Sequence, residues 1–548
     1  MKALGALIIL VSAFLACNTE PKEVASDPTR VFLTPDILCG TVQFTDGCGE
    51  QMDTLIRFGL ALLHHMTYED AEYTFDQVIA KDPDCFWGHW GKGMTYIHPL
   101  WPDEPTPEQM QLGWALSQRA LAVARNDKEK KYGEALAAYY ENPQGRTRPE
   151  RLASFHAGWS AAHELSDDDI EASLFYGLTK LSIASPGDKT YATQLEVGAL
   201  AEKVLETIPD HPGGFHYAIH AYDIPSLAPR ALTVASNYGK IAPEIPHALH
   251  MPSHIYTRLG HWQESIDWNS RSAEAAQKFP VEGKTSMHFF HASDYMVYAY
   301  LQQAEDDKAK AIWKSVSAIT GPIQENGATM YALAGMPSRI ALELQRWDEA
   351  AMLTVPHADL VNWDKFPAYE AIIHYARGIG AARSGKAEIV QDALNRQDSL
   401  LVAIGDSKSL AYWAEQLRIQ RMAVEAWQTF SQGNREGGLA QMQAAVEREA
   451  ATEKHPVSPG EILPISELYG DMLLEAKKPG EALKQYENSL VRTPSRFNSL
   501  YGAGYAAEMT GDMNAARKYY GELLKLVRAD NSNRKQLVHA REILREHM

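Results

Sequence analysis

The residues best placed to do chemistry in this sequence are histidines. Nine of the 20 fall between His211 and His291, where even scatter would place about three. His216 and His250 are 34 residues apart, as are His220 and His254, and each helix-sized segment carries its two at a spacing of four. On a helix that spacing sets both imidazoles on one face. A 34-residue repeat copies the pair onto an adjacent helix turned the same way. With Asp294 as the nearest carboxylate, His216, His220, His250 and His254 form a donor set for zinc, copper, iron or manganese. Protonated, the same imidazoles would suit an anionic ligand. A hydrogen-bonded polar layer that binds nothing is the third reading. Tyr298, Arg339, His247, His291 and Asp223 are expected around the cluster, lining a ligand groove.

The chain carries its own control. Met336-Pro337-Ser338-Arg339-Ile340 repeats Met251-Pro252-Ser253-His254-Ile255 with Trp347 answering Trp262, yet Gly335 and Arg339 stand where His250 and His254 would be. Earlier repeats place Ile56 and Leu60, then Trp90 and Met94, at those positions, so the fold does not require histidine there. Two features count against a metal: Pro252 lacks the amide that would continue a helix through His250, and no His-Glu-x-x-His arrangement is present, which excludes a zinc protease of that kind. His64 and His98, also 34 apart, lie near Trp87, Trp90 and Trp101, where aromatics at helical spacing more often form core. No Ser-His-Asp grouping, phosphate-cradling glycine loop or paired-carboxylate motif can be singled out by local spacing.

The elements that must position these histidines are paired amphipathic helices. From Met52 to Cys85 the apolar positions Leu55, Phe58 and Leu62, then Ala71, Phe75 and Val78, read as two helices closed by Pro83. Gly59 recurs as Gly93, Pro209 as Pro243, Gly470 as Gly504, Ala482 as Ala516 and Tyr486 as Tyr520, all at an interval of 34. Gly260-His261-Trp262, Gly385-Lys386-Ala387, Gly433-Asn434-Arg435 and Gly511-Asp512-Met513 fit the short turn between paired helices, and about nine or ten pairs are expected. The predicted fold is an all-α, right-handed superhelix of tetratricopeptide-type helix pairs over residues 39–548, with the histidine-rich repeats at 205–300. Pro-rich insertions at Pro99 to Pro107 and Pro143 to Pro149 lengthen connections without ending the solenoid.

Beyond its N-terminus the chain resembles a widespread group of bacterial tetratricopeptide-repeat proteins marked by His211-Pro212-Gly213, by His216-Tyr217-Ala218-Ile219-His220-Ala221-Tyr222-Asp223 and by Pro246-His247-Ala248-Leu249-His250-Met251-Pro252-Ser253-His254-Ile255. The resemblance implies the helical fold and export from the cytoplasm. It supplies no reaction.

Lys2, the apolar run from Ala3 to Ala16, and Phe14-Leu15-Ala16-Cys17 before a polar stretch resemble a lipoprotein export signal, which predicts residues 1–17 as signal peptide, Cys17 as the lipidated residue and 18–38 as tether. An ordinary cleaved signal peptide is the alternative. Fourteen apolar residues are too few to span a bilayer, so membrane contact is expected through lipid alone, in the cell envelope at the outer membrane or periplasm. In an oxidising compartment Cys48 and Cys85 should pair, because an antiparallel helix pair brings together the ends they occupy, leaving Cys39 free. The formal charge of −18, from 52 Lys and Arg against 70 Asp and Glu, excludes nucleic acid as the expected partner.

Three functions follow from these readings. The first is a binding or scaffold protein whose concave groove takes a protein, peptide or small ligand, with the central cluster holding a metal or touching an anionic ligand. The second is a metalloenzyme, hydrolytic or oxidative. The third is a scaffold that simply receives a peptide.

Overall fold

Helices begin where the sequence supplies caps. Thr106 and Gln109 form a capping box ahead of Pro107–Val123, Thr147 and Glu150 form another ahead of Arg148–His163, and the His211 ring accepts from the Gly213 amide at the start of Pro212–Tyr222. Each cap satisfies amides that the first turn leaves unpaired, and proline at the first helical position fits because it has no amide to lose. The turn at Gly260 ends Pro252–Leu259 with φ of 69°, a left-handed backbone that glycine adopts at no steric cost.

In the computed structural model the described residues are 32–44, 48–101, 103–166, 168–185, 187–281, 283–528 and 532–545. Cys17, the signal segment and the tether up to residue 31 lie outside them. The chain is an all-α superhelix of paired helices. Extended pairing among the described residues amounts to isolated bridges, Val281 with Lys284 and Thr285 with Ile323. Each helix packs on its successor, and many pack on the next but one, as Glu50–His64 does on Phe86–Thr95 and Met287–Gln302 on Gly327–Glu343. That pattern is what stacking antiparallel pairs produces.

The 34-residue spacing has a steric cause. A Cβ on Gly470 would come within 2.7 Å of the Tyr486 ring, and one on Gly504 within 2.5 Å of the Tyr520 ring. Small residues on one helix therefore admit the aromatic of its partner, and a larger side chain would prise the pair apart. Cys48 and Cys85 are disulfide-bonded across the first pair with Cα atoms 5.7 Å apart, and Cys39 is free. No helix among the described residues is long and apolar enough to cross a membrane.

Winding brings distant segments to the centre. Glu50–His64 packs on Pro212–Tyr222, and the loop from Lys454 to Glu461 lies against the central helices: the Tyr295 hydroxyl reaches the carbonyls of Pro456 and Ser458, and the Arg339 guanidinium donates to those of Gly460 and Glu461. The two largest apolar cores are drawn from Leu33 to Tyr256 and from Phe290 to Ala506, and smaller clusters lie around Trp262, Ala273 and Phe497. His250, His254 and His291 each pack against the ring of Tyr295.

Candidate metal centre

The spacing of four acts as the sequence predicts. On Pro212–Tyr222 the Nε2 atoms of His216 and His220 are 3.1 Å apart, and the copy of that pair, His250 and His254, places its Nε2 atoms 3.0 Å apart. The proline between the latter two divides the helix into Pro246–His250 and Pro252–Leu259, but the linking residue Met251 keeps helical angles (φ −53°, ψ −37°), so the face is preserved. Pro337 in the sister motif sits inside a continuous helix, Gly327–Glu343.

The structure completes each pair with a third histidine. His216 and His220 are joined by His247, and His250 and His254 by His291; within each triad one nitrogen per ring lies within 4.8 Å of the others. The groups are adjacent, with ring centroids 5.9 Å apart for His220 and His254 and 6.2 Å for His247 and His250. Five of the six rings are buried and His220 is half-buried.

Outward hydrogen bonds fix the rings. His216 Nδ1 donates to the carbonyl of His64 at 2.6 Å, His254 Nδ1 to the Asp223 carboxylate at 3.0 Å, and His250 Nδ1 to Asn269 Oδ1 at 2.7 Å. The Asn269 amide is oriented by its own donation to the Ser265 carbonyl. Metal-ligating histidines are held by such bonds, which set the tautomer and leave Nε2 as the lone pair. Burial, with neighbouring imidazoles, holds His216, His247, His250 and His291 well below the usual histidine range. Burial also lowers His254 against the pull of Asp223, and takes His220 down to about 3. The rings are therefore neutral near pH 7, so His250 and His254 turn two lone pairs toward each other. Two ligands about 2.0–2.1 Å from a tetrahedral ion would be separated by about 3.3 Å, close to the spacing seen.

Asp294 takes a different place from the one expected. Its Oδ1 accepts from Arg339 Nε at 3.3 Å, both side chains are fully buried, and Asp294 belongs to neither histidine group. The guanidinium is a stronger attraction for a buried carboxylate than neutral imidazoles. Arg339 and Tyr298 likewise do not line an open groove: Arg339 holds the Lys454–Glu461 loop, and the Tyr298 hydroxyl accepts from Arg496. Asp223 is the carboxylate beside the histidines. Burial opposes its ionisation, but Lys454 and Arg258 outweigh that and hold it well below the usual range.

The pair of His64 and His98 separates. His64 Nε2 and His211 Nε2 both donate to Glu171, at 2.6 and 3.0 Å, while their Nδ1 atoms accept from the Tyr217 hydroxyl and the Gly213 amide. Every nitrogen in that group has a protein partner, so it is complete as a hydrogen-bond network. His98 is a cation whose Nδ1 and Nε2 donate to Asp103 and the Thr95 carbonyl; burial draws its pKa down, but Asp103 raises it above the usual value.

A cavity of about 690 Å³ opens onto both triads, lined by His220, His247, His254 and His291 together with Trp101 and Tyr369. Its carboxylates are mostly paired: Asp103 with His98, Glu104 with Arg151 and Glu325 with Lys365. Sequence reasoning missed Lys454, the Glu171 network and the cavity. These depend on contacts between segments more than a hundred residues apart, as in Lys454 with Asp223 and His64 with Glu171, and no local pattern announces them.

No protein-family profile and no curated protein sequence matches the chain. Among solved structures it is similar to the human IFIT1 dimer with m7Gppp-AAAA, at 13% identity and a TM-score of 0.35 over 76% of this chain and 87% of that one. It is also similar to yeast Tom70, at 12% identity and a TM-score of 0.30 over 91% and 96%, and to Cut9 of the APC/C hetero-tetramer Cut9–Hcn1, at 10% and 0.28 over 91% and 97%. Likeness at this level says nothing about a ligand, and the helix packing described above defines the fold.

Proposed function

We propose that this is a transition-metal-binding protein of the bacterial cell envelope, exported and anchored by lipid at Cys17, whose helical superhelix holds an ion at His250, His254 and His291. One observation carries the reading: the Nε2 atoms of His250 and His254 face each other at 3.0 Å while the Nδ1 atom of each is committed to an oxygen. Two neutral lone pairs in that position repel, and a cation between them turns the repulsion into ligation. Neutral, buried rings also weigh against recognition of an anion by imidazolium. The donor set of imidazoles without a carboxylate suits zinc, copper or iron better than manganese, which takes oxygen ligands. Occupation of the inner surface around Arg339 by the chain's own loop favours a small ligand in the cavity over a peptide laid along the groove. Export and the anchor rest on the apolar run and the Phe14-Leu15-Ala16-Cys17 pattern.

Protein purified without added metal should contain zinc, copper or iron by elemental analysis, and chelation should lower its melting temperature. The double variant His250→Ala, His254→Ala should lose the metal of this triad with helix content retained, because Gly335 and Arg339 stand at those places in a sister repeat. No metal in the purified protein, and no thermal shift with zinc, copper, iron or manganese, would refute the reading.

A further inference from the structure

We infer that the second triad, His216, His220 and His247, takes its own ion, so that the centre is dinuclear, and that the cavity in front of it admits a small phenolic molecule as ligand. This rests on the metal-binding reading above and extends it from one ion to two.

In the second triad one ring is oriented from outside as two are in the first. His216 is fully buried, and its donation to the His64 carbonyl leaves Nε2 turned toward His220. His247 is buried with neither ring nitrogen hydrogen-bonded to the protein. Two unpaired buried polar atoms on one ring cost free energy that an intact hydrogen bond would have spared. Ligation by one nitrogen removes part of that cost. The His64 carbonyl that orients His216 belongs to a residue fixed on both ring nitrogens, by Glu171 and Tyr217. The otherwise self-contained network under the site thereby acquires a purpose: it sets the position of one ligand.

Charge then limits what fills the remaining positions. Six neutral imidazoles offset none of the ions' charge, and the one carboxylate beside them, Asp223, is already matched by Arg258 and Lys454. An all-nitrogen set without bridging carboxylates fits ions of low charge and high affinity for imidazole, which places copper first in the divalent order. The uncompensated charge calls for an anionic donor from outside the protein. The approach to both ions is the cavity, whose walls include Trp101, Phe366, Tyr369 and Met287 and whose acidic groups are largely paired. A neutral aromatic body fits such walls. A hydroxyl on that body supplies the anion by releasing its proton to solvent as oxygen binds the metal. A phenol meets both conditions, whereas a molecule charged before it enters would be desolvated without a partner along the wall.

The test uses the full chain loaded with copper(II). Two equivalents should bind per chain, and paramagnetic resonance should show weaker signal than two isolated ions give, because neighbouring spins couple. His247→Leu should bind one equivalent, keep its helix content, and recover the signal of an isolated ion. That variant removes a ring that no protein group relies on for a hydrogen bond. The probe 4-nitrocatechol, offered at a pH low enough to keep it neutral in solution, should bind the two-copper protein at one per chain with a shift of its visible band, and His247→Leu should weaken that binding at least tenfold. A wild type that saturates at one equivalent, with His247→Leu identical to it, overturns the second site and leaves the single-ion reading standing. Two equivalents with no change in the nitrocatechol band overturn the phenolic ligand. Binding of no copper at all removes this inference, and the reading beneath it falls as well if zinc and iron also fail to bind.

Discussion

Asp223 and Lys454 are 231 residues apart, yet Lys454 Nζ lies 3.5 Å from the Asp223 Oδ2 that accepts from His254 Nδ1. The other oxygen takes the Arg258 guanidinium at 2.8 Å. A carboxylate held between two cations stays ionised, and an ionised acceptor both orients the imidazole and increases its basicity toward a metal. Asp223→Asn should therefore lower metal affinity about 10- to 100-fold without changing the number of ions bound. Competition titration against a chelator of known affinity measures this, and an unchanged affinity would remove Asp223 from the site.

Asp294 gives the opposite expectation. It is engaged by Arg339 and apart from the histidines, and burial, opposed by Arg339, pushes its pKa up to about 6. Asp294→Asn should leave metal stoichiometry and affinity as they are. Arg339→Met, by contrast, leaves a buried carboxylate without its cation, frees the Glu461 carbonyl and leaves that of Gly460 to the Tyr331 hydroxyl alone. It should destabilise the centre of the fold by about 3–5 kcal/mol. Elemental analysis reads the first outcome and hydrogen exchange of the Gly327–Glu343 amides the second.

How far the sequence reached follows from the range of each interaction. Helix pairing was legible because Gly470 and Tyr486 sit one helix apart and recur, so a local steric rule writes itself into the spacing. The pairs His216 with His220 and His250 with His254 were legible for the same reason. Their third members were named only as surroundings: His247 reaches His216 and His220 from the first turn of Pro246–His250, and His291 arrives from Met287–Gln302, so their convergence depends on the angle between helices. Asp294 was assigned to the histidines by register, which is correct for its helix but silent about the guanidinium facing it. Lys454 carried no signal at all, since a loop folding back across the superhelix has no periodicity.

The bond between Cys48 and Cys85 closes a separation of 37 residues around the first helix pair. Chain-entropy arguments assign such a loop about 3–4 kcal/mol. Reduction should lower the opening free energy of the Glu50–His64 helix by that order, seen as faster amide exchange, while the Met513–Leu526 helix is unaffected. The free Cys39 thiol, whose pKa burial raises to about 11, should react slowly with alkylating agents until the N-terminal segment opens. Equal loss of protection at both ends on reduction would show that the bond does not act locally.

Asp471 provides a pH test remote from the histidines. It is half-buried on Ile465–Glu475, accepts from the Tyr486 hydroxyl at 2.7 Å and has Arg383 at 3.6 Å. Burial, only partly offset by Arg383, raises its pKa to about 6. The folded protein thus binds a proton there more tightly than the unfolded chain, whose aspartates titrate near about 3.9. Stability is then highest with the carboxyl protonated, falls as pH rises from about 4 to about 6, and is level above that. Asp471→Asn keeps an acceptor for Tyr486 and cannot ionise, so its local stability should lack this slope. The variant's advantage over the wild type should grow by about 2 kcal/mol between pH 4 and pH 7, read from hydrogen exchange of the Ile465–Glu475 amides, each pH corrected for the intrinsic exchange rate. A difference that stays flat, or that favours the wild type more as pH rises, would mean that Arg383 keeps Asp471 ionised in the fold.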